Sequence, residues 1–273
     1  MDYLERVRGA VYGAAVADAV GATYEGCMPD ETRVPALIGG GQFALAAGEV
    51  TDDTLMMLAL AESYLETNTF SPDRFIRSII TTIRTHPKTF GNTTRSLARF
   101  AEMGCYPESA ASIVDMLYGS GTNGSAMRTL PTALFATSAD EAEQLGRTVS
   151  AYTHKSSEAC NAAAAVSAAA YRLLHGEEKE TVLRTVPETY LAGDLIPSVK
   201  AEESVRCAFC IFRDSDSYLD VLTRACRLGG DSDTIGAMAG SLAGAYYGIK
   251  AIPEEWCTAL DVTDQIETLL DRI

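Results

Sequence analysis

The sequence predicts an all-α chain, a single domain over residues 1–273 built as a multi-helix orthogonal bundle. Three observations predict it. Apolar residues recur at helical spacing, as Leu4, Val7, Ala10, Val11 and Ala14 do at the start. Strong helix formers run on without a breaker, as the Leu, Met and Ala residues of 55–65 do. The alternating pattern of a half-buried strand is scarce. Hydrophobic residues make up 47% of 273, enough for a large core at this length.

The elements follow in order. The first helix is carried by Leu4 through Ala14, and Asp18 then interrupts an alanine-rich stretch. Asp18 reads either as the polar tip of an amphipathic helix or as a buried acid with partners. Residues 26–50 read as irregular, and 55–65 as helix. Pro72 stands just before the helix of 75–83, where proline is tolerated. Residues 85–94 are irregular, 96–102 helical and 117–127 irregular. Helices follow at 139–151, 156–174, 179–185, 201–212, 217–228 and 235–248, with 189–200 irregular. Pro253 introduces 254–260, and 264–270 is the last helical stretch. No repeat, low-complexity linker or charge block divides the chain.

Glycine recurs every fourth residue at Gly236, Gly240, Gly244 and Gly248, and again at Gly9 and Gly13. Glycine inside a helix costs about 0.5–1 kcal/mol relative to alanine. Close approach of two buried helices is the reason the stripe suggests.

Charge removes some partners. With 22 Lys+Arg against 37 Asp+Glu the formal charge is −15, which repels nucleic acid and anionic membranes as default partners. Seven cysteines form no framework. Cys207 and Cys210 are a lone pair at helical spacing and read as buried thiols in a reducing cytoplasm. No export signal or membrane span is expected.

Two segments gather oxygens. Thr51-Asp52-Asp53-Thr54 precedes the helix at Leu55, and Asp231-Ser232-Asp233-Thr234 precedes the helix at Ile235. One acid is enough to cap a helix, and the second repels it unless a cation intervenes. Carboxylates and hydroxyls are hard ligands that select Mg²⁺, Mn²⁺ or Ca²⁺ over zinc. A third segment, Gly119-Ser120-Gly121-Thr122-Asn123-Gly124-Ser125-Ala126-Met127-Arg128, is a glycine-rich loop able to aim backbone N–H groups at phosphate.

Together, in this order, these segments and Tyr152-Thr153-His154 resemble the ADP-ribosylglycohydrolase family over nearly the whole chain, from Gly13 to Gly248. The resemblance implies an all-α bundle around two Mg²⁺ or Mn²⁺ ions held by Thr51, Asp52, Asp53, Asp231, Asp233 and Thr234. It implies that Glu25 lies on a mobile loop over the site. It assigns Gly119, Ser120, Gly121, Asn123 and Gly124 to the loop holding ADP-ribose, and His154 to the same cleft. Gly121 stands where some relatives carry an aromatic that packs on adenine. The activity implied is hydrolysis of ADP-ribose from a protein side chain, arginine-linked, by a cytoplasmic monomer. Its substrate is an ADP-ribosylated protein or a small ADP-ribosyl molecule, and its product ADP-ribose. Glu25, Asp52, Asp53 and Asp233 are the candidate catalytic carboxylates. A serine-linked hydrolase, a two-metal phosphoesterase or pyrophosphatase, and a member that binds ADP-ribose without turnover are the alternatives.

Overall fold

The computed structural model describes residues 1–273. It holds fourteen α-helices, three 3₁₀ turns and no strand, only the isolated bridges Gly40–Leu45 and Thr122–Lys200. The helices are α1 (Tyr3–Gly21), α2 (Asp52–Tyr64), α3 (Pro72–Thr85), α4 (Asn92–Glu102), α5 (Pro107–Tyr118), α6 (Leu130–Leu134) and α7 (Ala139–Ser150). They continue with α8 (Ser157–Leu174), α9 (Lys179–Leu183), α10 (Ala201–Asp214), α11 (Tyr218–Leu228), α12 (Ser232–Tyr247), α13 (Glu254–Ala259) and α14 (Thr263–Leu270). No helix is long and apolar enough to cross a membrane.

At the centre lie α1 and α12. Nearly every residue of α1 from Val7 onward, and every residue of α12 up to Ala245, is buried. Helices apolar on all sides belong in a core. The glycine stripe is where they meet: a Cβ on Gly9 would lie 2.8 Å from the Gly248 carbonyl carbon, and one on Gly13 3.2 Å from Gly244 Cα. Backbone cannot step aside as a flexible side chain can. At the far end of the seam, a Cβ on Gly21 would lie 2.6 Å from Asp233 Cα. The packing that fixes the core therefore also sets the end of α1 against the start of α12. Two polar contacts brace the pair. The buried Tyr218 hydroxyl donates to Gly13 O at 2.8 Å, and Arg6 donates to Ala245 O at 3.0 Å and Leu173 O at 3.3 Å, closing the ends of α12 and α8.

The sequence reading gives bounds for neither α5 nor α6. α5 buries only Pro107, Ala110, Ala111 and Val114, while Met116, Leu117 and Tyr118 stay exposed, so apolar residues on both faces blur the helical period. α6 has five residues, too few to show a period. The starts of α2 and α12 also lie earlier than expected. Asp52, Asp53 and Asp233 are inside the first turn, where free N–H groups and the helix dipole favour negative charge. All seven cysteines are free, and Cys207 and Cys210 are buried on α10, as their spacing suggested.

Candidate functional site

The α2 start is tied down by Asp18. This residue is fully buried. Its carboxylate accepts from Thr51 N at 3.1 and 3.2 Å, from Thr54 N at 3.1 Å and from Thr54 Oγ1 at 2.5 Å. Of the two sequence readings, the buried acid with partners holds. Thr51 caps the helix by accepting from Asp53 N at 3.2 Å, and its hydroxyl donates to Asp53 Oδ2 at 3.0 Å. From the other side, Asp52 N donates to Thr89 Oγ1 at 2.9 Å.

The α12 start arrives through a turn that needs glycine, with φ +67° at Gly229 and +59° at Gly230. Gly26 N donates to Gly230 O at 2.7 Å and Asp231 N to Pro197 O at 3.1 Å, which draws the loops around residues 26 and 197 to the site. The Asn123 amide donates to Asp231 Oδ2, and Ser232 Oγ donates to Gly21 O at 2.8 Å.

The two starts face each other. Asp18, Asp53 and Asp233 each offer a carboxylate oxygen within 4.8 Å of the others, and so do Glu25, Asp231 and Asp233. Asp233 belongs to both groups. Burial is the largest cause of the shifts that result, and like charge adds to it. Asp18 is pushed up to about 6, burial outweighing its hydrogen bonds. Asp52 is pushed up to about 7 by burial and the charge of Asp18. Asp231 reaches about 7 through burial and Glu25, against the Asn123 bond. Asp53 is raised well above its ordinary value by burial and the charge of Asp18, and Asp233 by burial and the charge of Asp53. Burial raises Glu25 as well.

This site fits a divalent cation. Asp53 Oδ1 and Glu25 Oε2 are buried with no hydrogen-bond partner. The donors are all oxygen, which suits Mg²⁺ or Mn²⁺. The neighbouring buried cation, Arg128, pairs with none of the acids. Its guanidinium donates to Gly124 O and Thr153 Oγ1 and lies over the Phe75 ring, 5.1 Å from the centroid.

A cleft of about 330 Å³ opens over the acids. Glu25, Asp52, Asp53, Asp231, Asp233 and Thr234 line it together with Asn123, Gly124 and His154. A second cavity, of about 730 Å³, adjoins it and shares Asn92, Thr93 and Thr122. Gly119, Gly121 and the exposed Tyr118 line this one together with Arg95, Arg99 and Lys200, a gathering of positive charge on an acidic chain.

Not every expected residue meets the cleft in the same way. Thr51 is fully buried beneath it, with its hydroxyl engaged by Asp53. Asp52 lines the cleft but belongs to neither close carboxylate group. Ser120 lines neither cavity. Its hydroxyl donates to Asp115 and accepts from Lys155 N at 2.8 Å and Ser156 N at 3.0 Å, anchoring the loop from inside. Gly121 lies beside Glu158, whose Oε2 would be 3.1 Å from a Cβ there. The sequence reading gave Arg128 no role and missed Thr89. Arg128 had a signal, a charge at the end of the glycine-rich loop just before the apolar residues of α6.

An all-α bundle whose central helix pair carries an oxygen-lined acidic cleft beside a glycine-rich loop defines the class. The model of the ADP-ribosylglycohydrolase family matches residues 1–273, and the chain belongs to that family. It is 30% identical over 301 residues to an ADP-ribosylarginine hydrolase, Tri1, of Pseudomonas putida (strain GB-1), covering 99% of this chain and 78% of the relative. It is 30% identical over 278 residues to the ADP-ribosyl-[dinitrogen reductase] glycohydrolase of Rhodospirillum rubrum, covering 94% and 91%. The Bos taurus ADP-ribosylhydrolase ARH3 is 27% identical over 99% of this chain and 93% of its own length. A solved structure described as an ADP-ribosylglycohydrolase-related protein complex superposes with a TM-score of 0.83 at 29% identity, over 99% of this chain and 97% of that one. The chain is an ADP-ribosylglycohydrolase enzyme.

Proposed function

We propose that this enzyme removes ADP-ribose from modified arginine side chains with the help of two Mg²⁺ or Mn²⁺ ions. The observation that carries the reading is the pair of overlapping carboxylate groups sharing Asp233, with Asp53 Oδ1 and Glu25 Oε2 left without partners. Asp53, Asp231, Asp233, Thr234 and Asp52 would hold the ions, with Thr51 supporting Asp53 from below. Bound there, the ions supply a grip on ribose hydroxyls and lower the pKa of a nearby water.

The chain's own residues do the rest. Glycosidic cleavage passes through an oxocarbenium-like state, which anionic surroundings stabilise. Glu25 Oε2, free of protein partners, accepts a hydrogen bond from the attacking water and orients it at the anomeric carbon. Gly119, Gly121, Asn123 and Gly124 bring the loop backbone to the diphosphate. Arg99, which has no ion-pair or hydrogen-bond partner in the protein, offsets its charge from the adjoining cavity. Arginine linkage is supported by the names of the Pseudomonas putida and Serratia proteamaculans relatives. It is also supported by charge: a substituted guanidinium is a cation, and the cleft is lined by acids, Glu25 and Asp231 among them, whereas a serine O-glycoside is neutral.

The experiment is to mix purified protein with ADP-ribosylarginine and ADP-ribosylserine peptides, with Mg²⁺ or with chelator. Release of ADP-ribose from the arginine peptide, lost in chelator, is expected. Release from neither peptide sinks the reading. Release from serine alone moves the linkage, and AMP as product moves the reaction to a pyrophosphatase.

A further inference from the structure

Behind the cleft residue His154 runs a hydrogen-bond chain with a fixed direction. It begins at Arg128, which is fully buried. A guanidinium has five N–H groups and no acceptor, so at Thr153 Oγ1, 2.5 Å from Nη2, it can only donate. That leaves the threonine hydroxyl one proton to give. Two acceptors stand near it: His154 Nδ1 at 2.8 Å and Ser150 O at 3.5 Å. Ser150 O already accepts from Thr153 N at 2.9 Å and His154 N at 2.7 Å. The proton therefore goes to Nδ1. A neutral imidazole that accepts at Nδ1 must carry its hydrogen on Nε2.

Burial and the charge of Arg128 both push the His154 pKa well below its usual value, so the ring is neutral. It is 2% exposed and lines the cleft. Nε2 lies 2.8 Å from where a Cβ on Gly124 would stand, so any side chain there would cover that edge of the ring. Arg128 also holds the Gly124 carbonyl, so one guanidinium sets both the loop and the ring.

The geometry points to Arg128 and Thr153 as positioning residues that fix His154 in the Nε2–H tautomer, making it a hydrogen-bond donor to a phosphate or ribose oxygen in the cleft and not a general base. Phosphate oxygens only accept hydrogen bonds. The other tautomer would turn a lone pair toward them and repel. The identity of the bound oxygen rests on the ADP-ribose reading, whereas the tautomer does not.

The chain has three histidines, His86, His154 and His175, so a long-range ¹⁵N spectrum of histidine-labelled protein is readable, with H86Q and H175Q for assignment. His154 is expected to show a protonated Nε2 and an unprotonated Nδ1 at neutral pH. In Thr153→Val, which keeps the shape and loses the hydroxyl, that preference should disappear. The Kd for ADP-ribose should rise about tenfold or more, the weight of one hydrogen bond to a charged acceptor. Thr153→Ser should restore both. A protonated Nδ1 in the wild type, or an unaltered tautomer and affinity in Thr153→Val, overturns the proposal. If the wild type binds no ADP-ribose, the functional reading fails, and the spectrum alone still decides the tautomer.

Discussion

The starts of α2 and α12 carry nearly the same residues, Thr-Asp-Asp-Thr and Asp-Ser-Asp-Thr, and are built in opposite ways. α2 is secured from within the core: Asp18 collects two backbone N–H groups and a hydroxyl, and Thr51 caps the helix. α12 has no side-chain cap at Asp231 and is held by its neighbours, Asn123 at Asp231 and Gly21 at Ser232. The difference shows how one acid can be committed to structure so that others remain available. Because Asp18 satisfies the helix start, Asp53 can leave Oδ1 without a partner in the cleft. The α12 acids have no such support and depend on a loop that also belongs to the ligand site.

The sharpest way to break this contrast is Asp18→Ala with Mg²⁺ present. Three buried donors lose their acceptor, at about 1–3 kcal/mol each. A large fall in unfolding free energy in urea is expected, with activity lost. Asp18→Asn, whose amide oxygen still accepts, should lie between. A silent Asp18→Ala would show that the α2 start does not need it.

Next comes Asp233→Asn, the residue common to both carboxylate groups. In chelator it should raise the melting temperature, because the cost of burying one acid beside the others is removed. In Mn²⁺ it should cancel the metal-induced gain, about 2.7 kcal/mol at a metal concentration of one hundred times Kd. Scanning fluorimetry with and without metal reads both, and an unchanged metal response would remove Asp233 from the ligands.

The pH response is smaller and has a definite sign. Asp18, Asp52 and Asp231 have ordinary values of 3.8 and are raised to about 6, 7 and 7 in the fold. A raised carboxyl binds more protons folded than unfolded, so its contribution is complete below about 4 and is lost as pH rises through about 7. Metal-free protein should therefore lose stability from pH 5 to 8, and Mg²⁺ should flatten or reverse that slope. A metal-free melting curve that rises over this window would contradict the shifts. The smallest effect is expected at Thr89, which braces α2 from outside through Asp52 N. Thr89→Val should cost about 0.5–1.5 kcal/mol by denaturation, with metal affinity little altered.

The long helices were legible because their apolar residues share a face or, in α1 and α12, cover every face. α5 was not, since Met116, Leu117 and Tyr118 lie outside the core and break the pattern. The acids of the site were legible as paired carboxylates at two helix starts. Asp18 was visible as an anomaly with two readings, and no local pattern could choose between them, because its partners are 33 and 36 residues away. Ser120 illustrates the opposite limit: the resemblance placed it with the ligand loop, and packing turned its hydroxyl inward.

What the sequence by itself determined is what depends on local spacing: an all-α chain, two acid-bearing helix starts, a glycine loop and a glycine stripe. Tertiary structure decided which oxygens are left over. Hydrogen-bond partners across long separations settle whether an acid is committed, as Asp18 is, or open to the cleft, as Asp53 is. The glycine stripe joins the two levels. It is written in the sequence as a four-residue repeat, but only the close approach it permits, ending at Gly21 against Asp233, brings the second helix start to the site.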